Sequence, residues 1–398
     1  MGAQSRDDGS RTESAAGLML AFLERSGAEG EREPARYLWT DAFAVCNLLA
    51  LERQTGESKW REHAEALIHQ VHRVLGRHRP DDPRNGWISG LSEEEGARRP
   101  TAGGLRIGKP LAERAPDASL DERSEWNRDG QYFHYLTKWA QALDRAGRRH
   151  AAPVYGAWSR ELMTTACEHF IYSAPGGGLR MYWKMSIDLD RPLVASMGHH
   201  DPLDGYIRCL ALRPGARDAG RDAGADAMGR CAQKFSAMIR RNALPTGDPL
   251  GIGGLLMDAG VLAQLIAAGE AEDDGLLAAL LQAAMAGAMH YERLCELERG
   301  PAQRLAFREL GLAIGLQALN VIRQAREAAP GAFRNSAVLD ESLAGLQERS
   351  GMGTEIERFW SQPAHQAARS WLEHEDINAV MLATSLVPAG LLELDPGP

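Results

Sequence analysis

Paired cysteine is the first thing this chain lacks. It has 5 cysteines in 398 residues: Cys46, Cys167, Cys209, Cys231 and Cys295. The number is odd, the spacing is wide, and no Cys-x-x-Cys occurs. This excludes a disulfide framework and reads as buried free thiols in a reducing compartment. Positive charge is also short, with 45 Lys and Arg against 54 Asp and Glu and a net charge of -9. That balance argues against wholesale binding to nucleic acid or an anionic membrane. No apolar run reaches the roughly 18 residues of a membrane helix. The stretch from Met1 to Glu13 is polar and lacks the apolar centre of a signal peptide, and Arg6 stands where myristoylation of Gly2 needs Ser or Thr. These absences predict a cytoplasmic protein with no nucleic-acid partner and no membrane partner. Strand-like segments are few as well.

What is present is helical periodicity, on a composition of 44% hydrophobic and 25% charged residues that suits a large buried core. The pattern predicts helices near 16–26, 38–55, 59–78, 130–147, 152–171, 200–212, 224–241, 251–269, 273–297, 302–328, 335–348, 353–361 and 375–386. Residues 1–14 read as a disordered tail and 15–398 as a single domain, since no convincing interdomain linker appears. Residues 213–227 are compositionally simple and read as a surface loop running into a helix. The best strand signal is 178–186. Two non-helical stretches, 79–128 and 173–197, are long for a helical domain and rich in Trp, Arg, Lys and acids. Loops of that length are usually functional or disordered, and both lead into a helix start, so they are expected to gather on one face.

Four constellations carry candidate chemistry. Trp39 and Asp41 open a helix that turns back at Gln54-Thr55-Gly56-Glu57. Glu125-Trp126-Asn127-Arg128-Asp129-Gly130-Gln131-Tyr132-Phe133-His134 packs acids, a base, amides and aromatics where a helix begins. Gln131, His134 and Lys138 share a helical face, and Asp129 would sit at the N-cap or first turn. Gly103-Gly104-Leu105-Arg106-Ile107-Gly108-Lys109-Pro110 lacks Walker spacing and a leading strand, so a phosphate loop is rejected. Arg106 and Lys109 would instead meet an anionic group, Arg106 through a bidentate fork. Ser196 to Asp204 contains His199, His200, Asp201 and Asp204, but not at a metal-ligand spacing. Asp201 reads as an N-cap ahead of Pro202, and His199 or His200 as a proton shuttle. Trp183-Lys184 adds an aromatic platform beside Trp39, Trp87 and Trp126. The ordinary reading of each stands alongside: capping acids, core aromatics and a solvated basic loop. Glu309, His374, Glu375 and Asp376 read as polar groups at helix ends with no functional assignment.

The hairpin from Trp39 to Leu75 resembles one unit of the (α/α)6 toroids, the six-hairpin glycosidase-like proteins and their N-acylglucosamine 2-epimerase-like cousins. About a dozen helices fit six hairpins. The resemblance implies an all-α (α/α)6 toroid with long loops on one face building a sugar site. Trp39-Thr40-Asp41 is similar to the Trp-x-Asp that carries a catalytic Asp in unsaturated glucuronyl and rhamnogalacturonyl hydrolases, and Trp126-Asn127-Arg128-Asp129-Gly130 is a loose echo of a second motif there. On this reading the catalytic set is Asp41, Asp129, Glu125, His199 and His200. The substrate-binding set is Trp39, Arg106, Lys109, Trp126, Arg128, Gln131, His134, Trp183, Lys184 and Asp204. No metal and no cofactor are expected. The implied partner is a small saccharide or anionic sugar, and the chain is compatible with a homodimer. The reaction expected is hydrolysis of a glycosidic bond by carboxylate acid/base catalysis. The alternatives are an epimerase or isomerase using pocket histidines, a non-catalytic binding toroid, and a metal-dependent enzyme built on His199-His200. A catalytic carboxylate pair is expected to contain at least one raised carboxyl, whereas a binding module would hold unperturbed acids.

Overall fold

The computed structural model describes residues 2–28, 34–218, 222–334 and 336–394. In chain order the helices are α1 (Gly2–Arg25), α2 (Leu38–Thr55), α3 (Ser58–Leu75), α4 (Glu93–Arg98), α5 (Glu122–Glu125), α6 (Phe133–Arg149), α7 (Pro153–Phe170), α8 (Asp201–Asp218), α9 (Asp222–Ser236), α10 (Pro249–Ala267), α11 (Asp274–Arg293), α12 (Ala306–Ala328), α13 (Ser336–Glu348), α14 (Gly351–Trp360), α15 (Pro363–Gln366), α16 (Arg369–Leu372), α17 (Glu375–Leu386) and α18 (Ala389–Leu392). The strands are short: β1 (Gln131–Tyr132), β2 (Ile171–Ser173), β3 (Leu179–Met181), β4 (Lys184–Met185) and β5 (Pro192–Val194). β2 and β3 form an antiparallel hairpin, and β1, β4 and β5 form an antiparallel three-stranded sheet in that order.

Every helix expected from periodicity has a counterpart. Several boundaries moved; α8 runs on to Asp218 and α9 starts at Asp222, so much of 213–227, expected as a surface loop, is helical, and α9 ends at Ser236 rather than 241. The helix expected at 130–147 starts at Phe133, because Gln131 and Tyr132 pair with Met185 and Lys184 in the sheet. Asp129 therefore lies outside the helix rather than at its cap. The N-terminal helix begins at Gly2, so the tail expected over 1–14 is helical. Arg11 there ion-pairs with Glu357 and donates to the Ser385 carbonyl at 3.0 Å. These long-range bonds hold a polar segment that has no apolar periodicity to announce it.

Contacts group the chain into two compact units where one was expected. Among the described residues, the first comprises those within 2–22, 46–57 and 240–394, and the second those within 23–45 and 58–239. In the first unit α10 packs on α12 at very close range. A Cβ on Gly253 would lie 2.0 Å from the Gly311 carbonyl oxygen, and one on Gly315 would lie 2.5 Å from the Gly253 Cα. Small residues at these positions let the two backbones meet, which no side chain larger than hydrogen permits. α10 is also long and apolar enough to cross a membrane by length and composition, contrary to the expectation that no such run exists, but 67% of that window is buried inside the protein. It is a core helix. A polar knot closes the same unit: Glu309 accepts Arg304 Nη2 at 2.7 Å, Trp360 Nε1 at 2.8 Å and Tyr291 Oη at 3.3 Å. Such a fully bonded buried carboxylate fixes one packing arrangement.

The second unit carries α3, α6, α7, α8 and α9 together with both sheets. α3 shows the expected amphipathic stripe, burying Trp60, Ala64, Leu67, Ile68, Val71 and Leu75. α6 buries Phe133, Leu136, Trp139, Ala140 and Leu143 along one face. The turn between α2 and α3 uses Gly56 at φ +70, with its N–H on the Glu52 carbonyl at 2.9 Å, the left-handed helix ending that glycine favours.

Candidate active site

Most of the polar residues singled out in the two long loops are spent fastening those loops. Asp129 is fully buried; one carboxylate oxygen accepts Arg106, and the other accepts the backbone N–H groups of Gly108 at 3.0 Å and Gly130 at 3.1 Å. Every nitrogen of Arg106 is engaged, Nη1 by Asp129 and Nε and Nη2 by the Arg77 and Val74 carbonyls, each at 2.6 Å. Glu125 is buried between Lys184 at 2.8 Å and Arg114 at 3.1 Å. The Lys184 ammonium also donates to the Glu125 and Arg128 backbone oxygens, at 2.9 and 2.8 Å, which exhausts its three protons. Gln131 accepts from Leu105 N–H at 2.9 Å and donates to the carbonyls of Gly103 at 2.9 Å and Ile187 at 2.7 Å. Arg128 donates to the Ala112 carbonyl at 3.2 Å.

A second clasp joins the loops at Arg84, which binds Asp82 and Glu113, each at 2.7 Å, and also Asp188. Glu113 in turn accepts the Ile187 N–H at 2.7 Å. Asp129, Glu125, Arg106, Gln131, Arg128 and Lys184, where chemistry was expected, are each engaged by protein partners in this structure. Lys184 with Glu125, and Gln131 between Gly103 and Ile187, fasten residues 79–128 to residues 173–197, whereas Arg106 with Asp129 and Arg128 with Ala112 tie the first stretch to itself and to the residue that follows it. Asp41 is likewise structural. It is 1% exposed, accepts the Tyr37 N–H at 3.0 Å and faces Arg36 at 3.4 Å, closing the first turn of α2. Trp39 is 7% exposed and packs on Phe43 with ring centroids 4.4 Å apart, so it is core rather than platform.

A different cluster forms where α6 and α8 begin. His134 and Lys138 lie one turn apart on α6, and Asp201 and Asp204 share a face at the first turn of α8, with the two helices packed together. Lys138 Nζ bonds Asp204 Oδ1 at 2.9 Å, and His134 Nδ1 lies 3.9 Å from Asp201 Oδ1. Two buried atoms here have no hydrogen-bond partner, His134 Nδ1 and Asp201 Oδ2. Burial, helped by the negative charge of Asp204, pushes the Asp201 carboxyl up to about 8. Asp204 is also buried, but Lys138 outweighs that and holds its carboxyl below the usual value. Burial lowers His134 to about 4, so its imidazole is neutral at pH 7. One carboxyl is thus protonated at neutral pH while its neighbour is ionised.

Aromatic rings surround this end of α6. Tyr132, Tyr135 and Trp183 contact His134 at centroid distances of 5.5, 4.7 and 6.4 Å, the last stacked at 16°. Trp126 is 53% exposed and meets Trp183 edge to face at 5.2 Å. The Tyr37 and Tyr135 hydroxyls bond each other, and the Lys109 ammonium lies 4.9 Å from the Tyr37 ring. Of the residues nominated from sequence, the structure brings together His134, Asp204, Trp126, Trp183 and, at the edge, Lys109. His199 is exposed, with its ring 4.3 Å from that of His200, whose carbonyl accepts the Asp204 N–H at 2.9 Å. Sequence reasoning missed Asp201, which it took for a cap, and Lys138, Tyr37, Tyr132 and Tyr135. The available signal was two short spacings, His134 to Lys138 and Asp201 to Asp204, each common in helices and meaningful only once the helices are paired.

Cavities are found elsewhere as well. Two of about 570 Å3 open in the first unit, one beside Arg326, Phe333 and Asp340, the other beside Arg11, Gln317 and Glu357. In the first cavity Asp340 pairs with Arg326, and in the second Glu357 pairs with Arg11. The α6–α8 cluster instead sets two carboxylates beside a histidine and a lysine.

No family model matches this chain, and no curated protein matches it by sequence. Its structure is similar to that of a GH76 alpha-mannanase from Bacteroides thetaiotaomicron, with a TM-score of 0.51 and 9% identity over 95% of this chain and 96% of that one. The fold is therefore all-α and of the (α/α)6 toroid type.

Proposed function

We propose that the protein is a carbohydrate-active hydrolase that cleaves a glycosidic bond at the α6–α8 cluster. The observation that carries this reading is the split carboxylate pair. Asp201 keeps its proton at neutral pH, and Asp204 stays ionised beside Lys138. Glycoside hydrolysis needs that division, a proton donor to the leaving oxygen and a carboxylate to meet the positive charge at the sugar carbon or to activate water. Asp201 is the general acid on this reading and Asp204 the second carboxylate. Lys138 sets the charge of Asp204. Trp183 and the exposed Trp126 present faces on which the C–H groups of a sugar ring stack. Lys109 is the cation available to an anionic sugar. The shared fold with a mannanase supports the class of substrate without choosing the sugar.

An epimerase using His134 as a base fits less well, because an imidazole with a pKa of about 4 removes protons weakly. The test is release of reducing ends from α-mannan, neutral oligosaccharides and uronate-containing oligosaccharides by the wild type, Asp201→Asn and Asp204→Asn. Turnover lost in both variants, with saccharide-dependent thermal stabilisation retained, supports the assignment. Unchanged turnover in both sinks it.

A further inference from the structure

The second of the two cavities in the first unit is walled by α1, α12, α13 and α14, and its volume of about 570 Å3 is in the range of small-molecule sites. Its charges cancel. Arg11 of α1 pairs with Glu357 of α14 through both Nη atoms, and Arg11 Nη2 also donates to the Ser385 carbonyl at 3.0 Å. Around that pair the walls are amide and hydroxyl, and hydrogen bonds within the protein fix how each amide is turned. Gln317 spends its Nε2 on the Ser385 carbonyl at 2.8 Å, so Oε1 remains as an acceptor. Gln347 spends its Nε2 on Ser350 Oγ at 3.1 Å, which leaves a second acceptor. Asn320 accepts Arg323 Nη2 on Oδ1 at 2.7 Å, so its Nδ2 remains as a donor. Thr354, one turn before Glu357 on α14, has a hydroxyl with no protein partner among the described residues. No lining residue is aromatic.

We propose that this cleft binds a neutral polyhydroxylated ligand, an open-chain polyol or a single sugar unit, as a site of its own in the first unit. A hydroxyl donates and accepts at once. A run of neighbouring hydroxyls therefore matches the two fixed acceptors, the fixed donor and the Thr354 hydroxyl, which can act either way. Protein bonds already hold the three amides, so little side-chain freedom is lost on binding. An ionised ligand finds no counter-charge, because the charged groups lining the cleft are the Arg11–Glu357 pair, already closed on each other. With no aromatic ring to stack on, recognition runs through hydroxyl edges rather than the apolar face of a sugar. The site makes no use of Asp201 or Asp204, so it stands or falls independently of the hydrolytic reading.

The experiment follows amide hydrogen exchange of the full chain by mass spectrometry while sorbitol, mannose or glucuronate is titrated in. Peptides from 311–321 and 346–358 report the cleft, and peptides from 133–149 and 201–218 report the α6–α8 cluster separately. Sorbitol or mannose is expected to slow exchange in the cleft peptides and glucuronate to leave them unchanged. At ten times the dissociation constant the slowing should be about tenfold for amides that exchange only when the cleft opens. Thr354→Val keeps the shape of the side chain and breaks no protein hydrogen bond, so it is expected to fold as the wild type does and to bind about fivefold more weakly. No slowing in the cleft peptides with either neutral compound overturns the proposal. So does slowing of equal size along the whole chain, which is the general effect of excluded polyols on a folded protein. An affinity unchanged in Thr354→Val places the ligand elsewhere, and a response to glucuronate equal to that for mannose overturns the neutral class. The wild-type titration decides the matter even if the variant fails to fold.

Discussion

Asp129 and Asp201 are both buried carboxylates within one compact unit, and they teach opposite lessons. Asp129 meets Arg106 and two backbone N–H groups, with each oxygen occupied. Asp201 has one oxygen without a partner, faces a neutral histidine at 3.9 Å, and shares its environment with a second carboxylate. A buried carboxylate whose oxygens are all bonded ties structure together, whereas one left short of partners takes up a proton. The protonated group is available for acid chemistry. The bolted one is not, however suggestive its neighbours look in the sequence.

The comparison breaks most sharply in activity. Asp201→Asn removes the transferable proton while keeping the shape, and turnover is expected to fall about a hundred- to ten-thousand-fold, with the denaturation midpoint little changed. Asp129→Asn is expected to do the reverse. It leaves Arg106 buried without its counter-charge and costs about 3–5 kcal/mol of stability, measured by urea denaturation, with saccharide turnover of the folded fraction retained. A stable Asp129→Asn protein that has lost turnover would invert the assignment.

The pH dependence sharpens the same contrast. Asp201 is held above its ordinary carboxyl value, up to about 8, so the folded state binds this proton more tightly than the unfolded chain does. Its contribution to stability is complete at acid pH below the unfolded value and is lost as pH rises towards and through about 8. Activity that needs the same proton is expected to decline on that alkaline limb. Asp204 has the opposite sign. Its lowered carboxyl contributes above the ordinary value, and the contribution is lost as pH falls through the folded value. Lys138→Met removes the cation that holds Asp204 down and is expected to move the acid limb of a kcat/KM profile to higher pH. An unmoved limb would separate Lys138 from the reaction. The smallest effect is expected from Trp126→Ala. Its ring is 53% exposed, so stability should change by less than about 0.5 kcal/mol, while KM for a saccharide substrate rises and kcat holds.

The helices were legible because amphipathic periodicity is a local property. The stripe of α3 and the Gly56 turn could be read residue by residue. The start of α6 could not, because Gln131 and Tyr132 are drawn into a sheet by Lys184 and Met185, about fifty residues away. The long loops were correctly seen as unusual, but their charges were read as facing a ligand when they face each other. Arg84 with Asp188, and Glu125 with Lys184, are partners that spacing does not reveal.

By itself the sequence determined the all-α character and the positions of most helices, because each depends on neighbours within a turn or two, whereas the (α/α)6 arrangement was only what a family resemblance implied. Tertiary structure alone decided which carboxylates were bonded to exhaustion and which was left to hold a proton. That outcome depends on desolvation and on charges from distant segments, and both exist only after α6 and α8 have packed and the loops have been clasped.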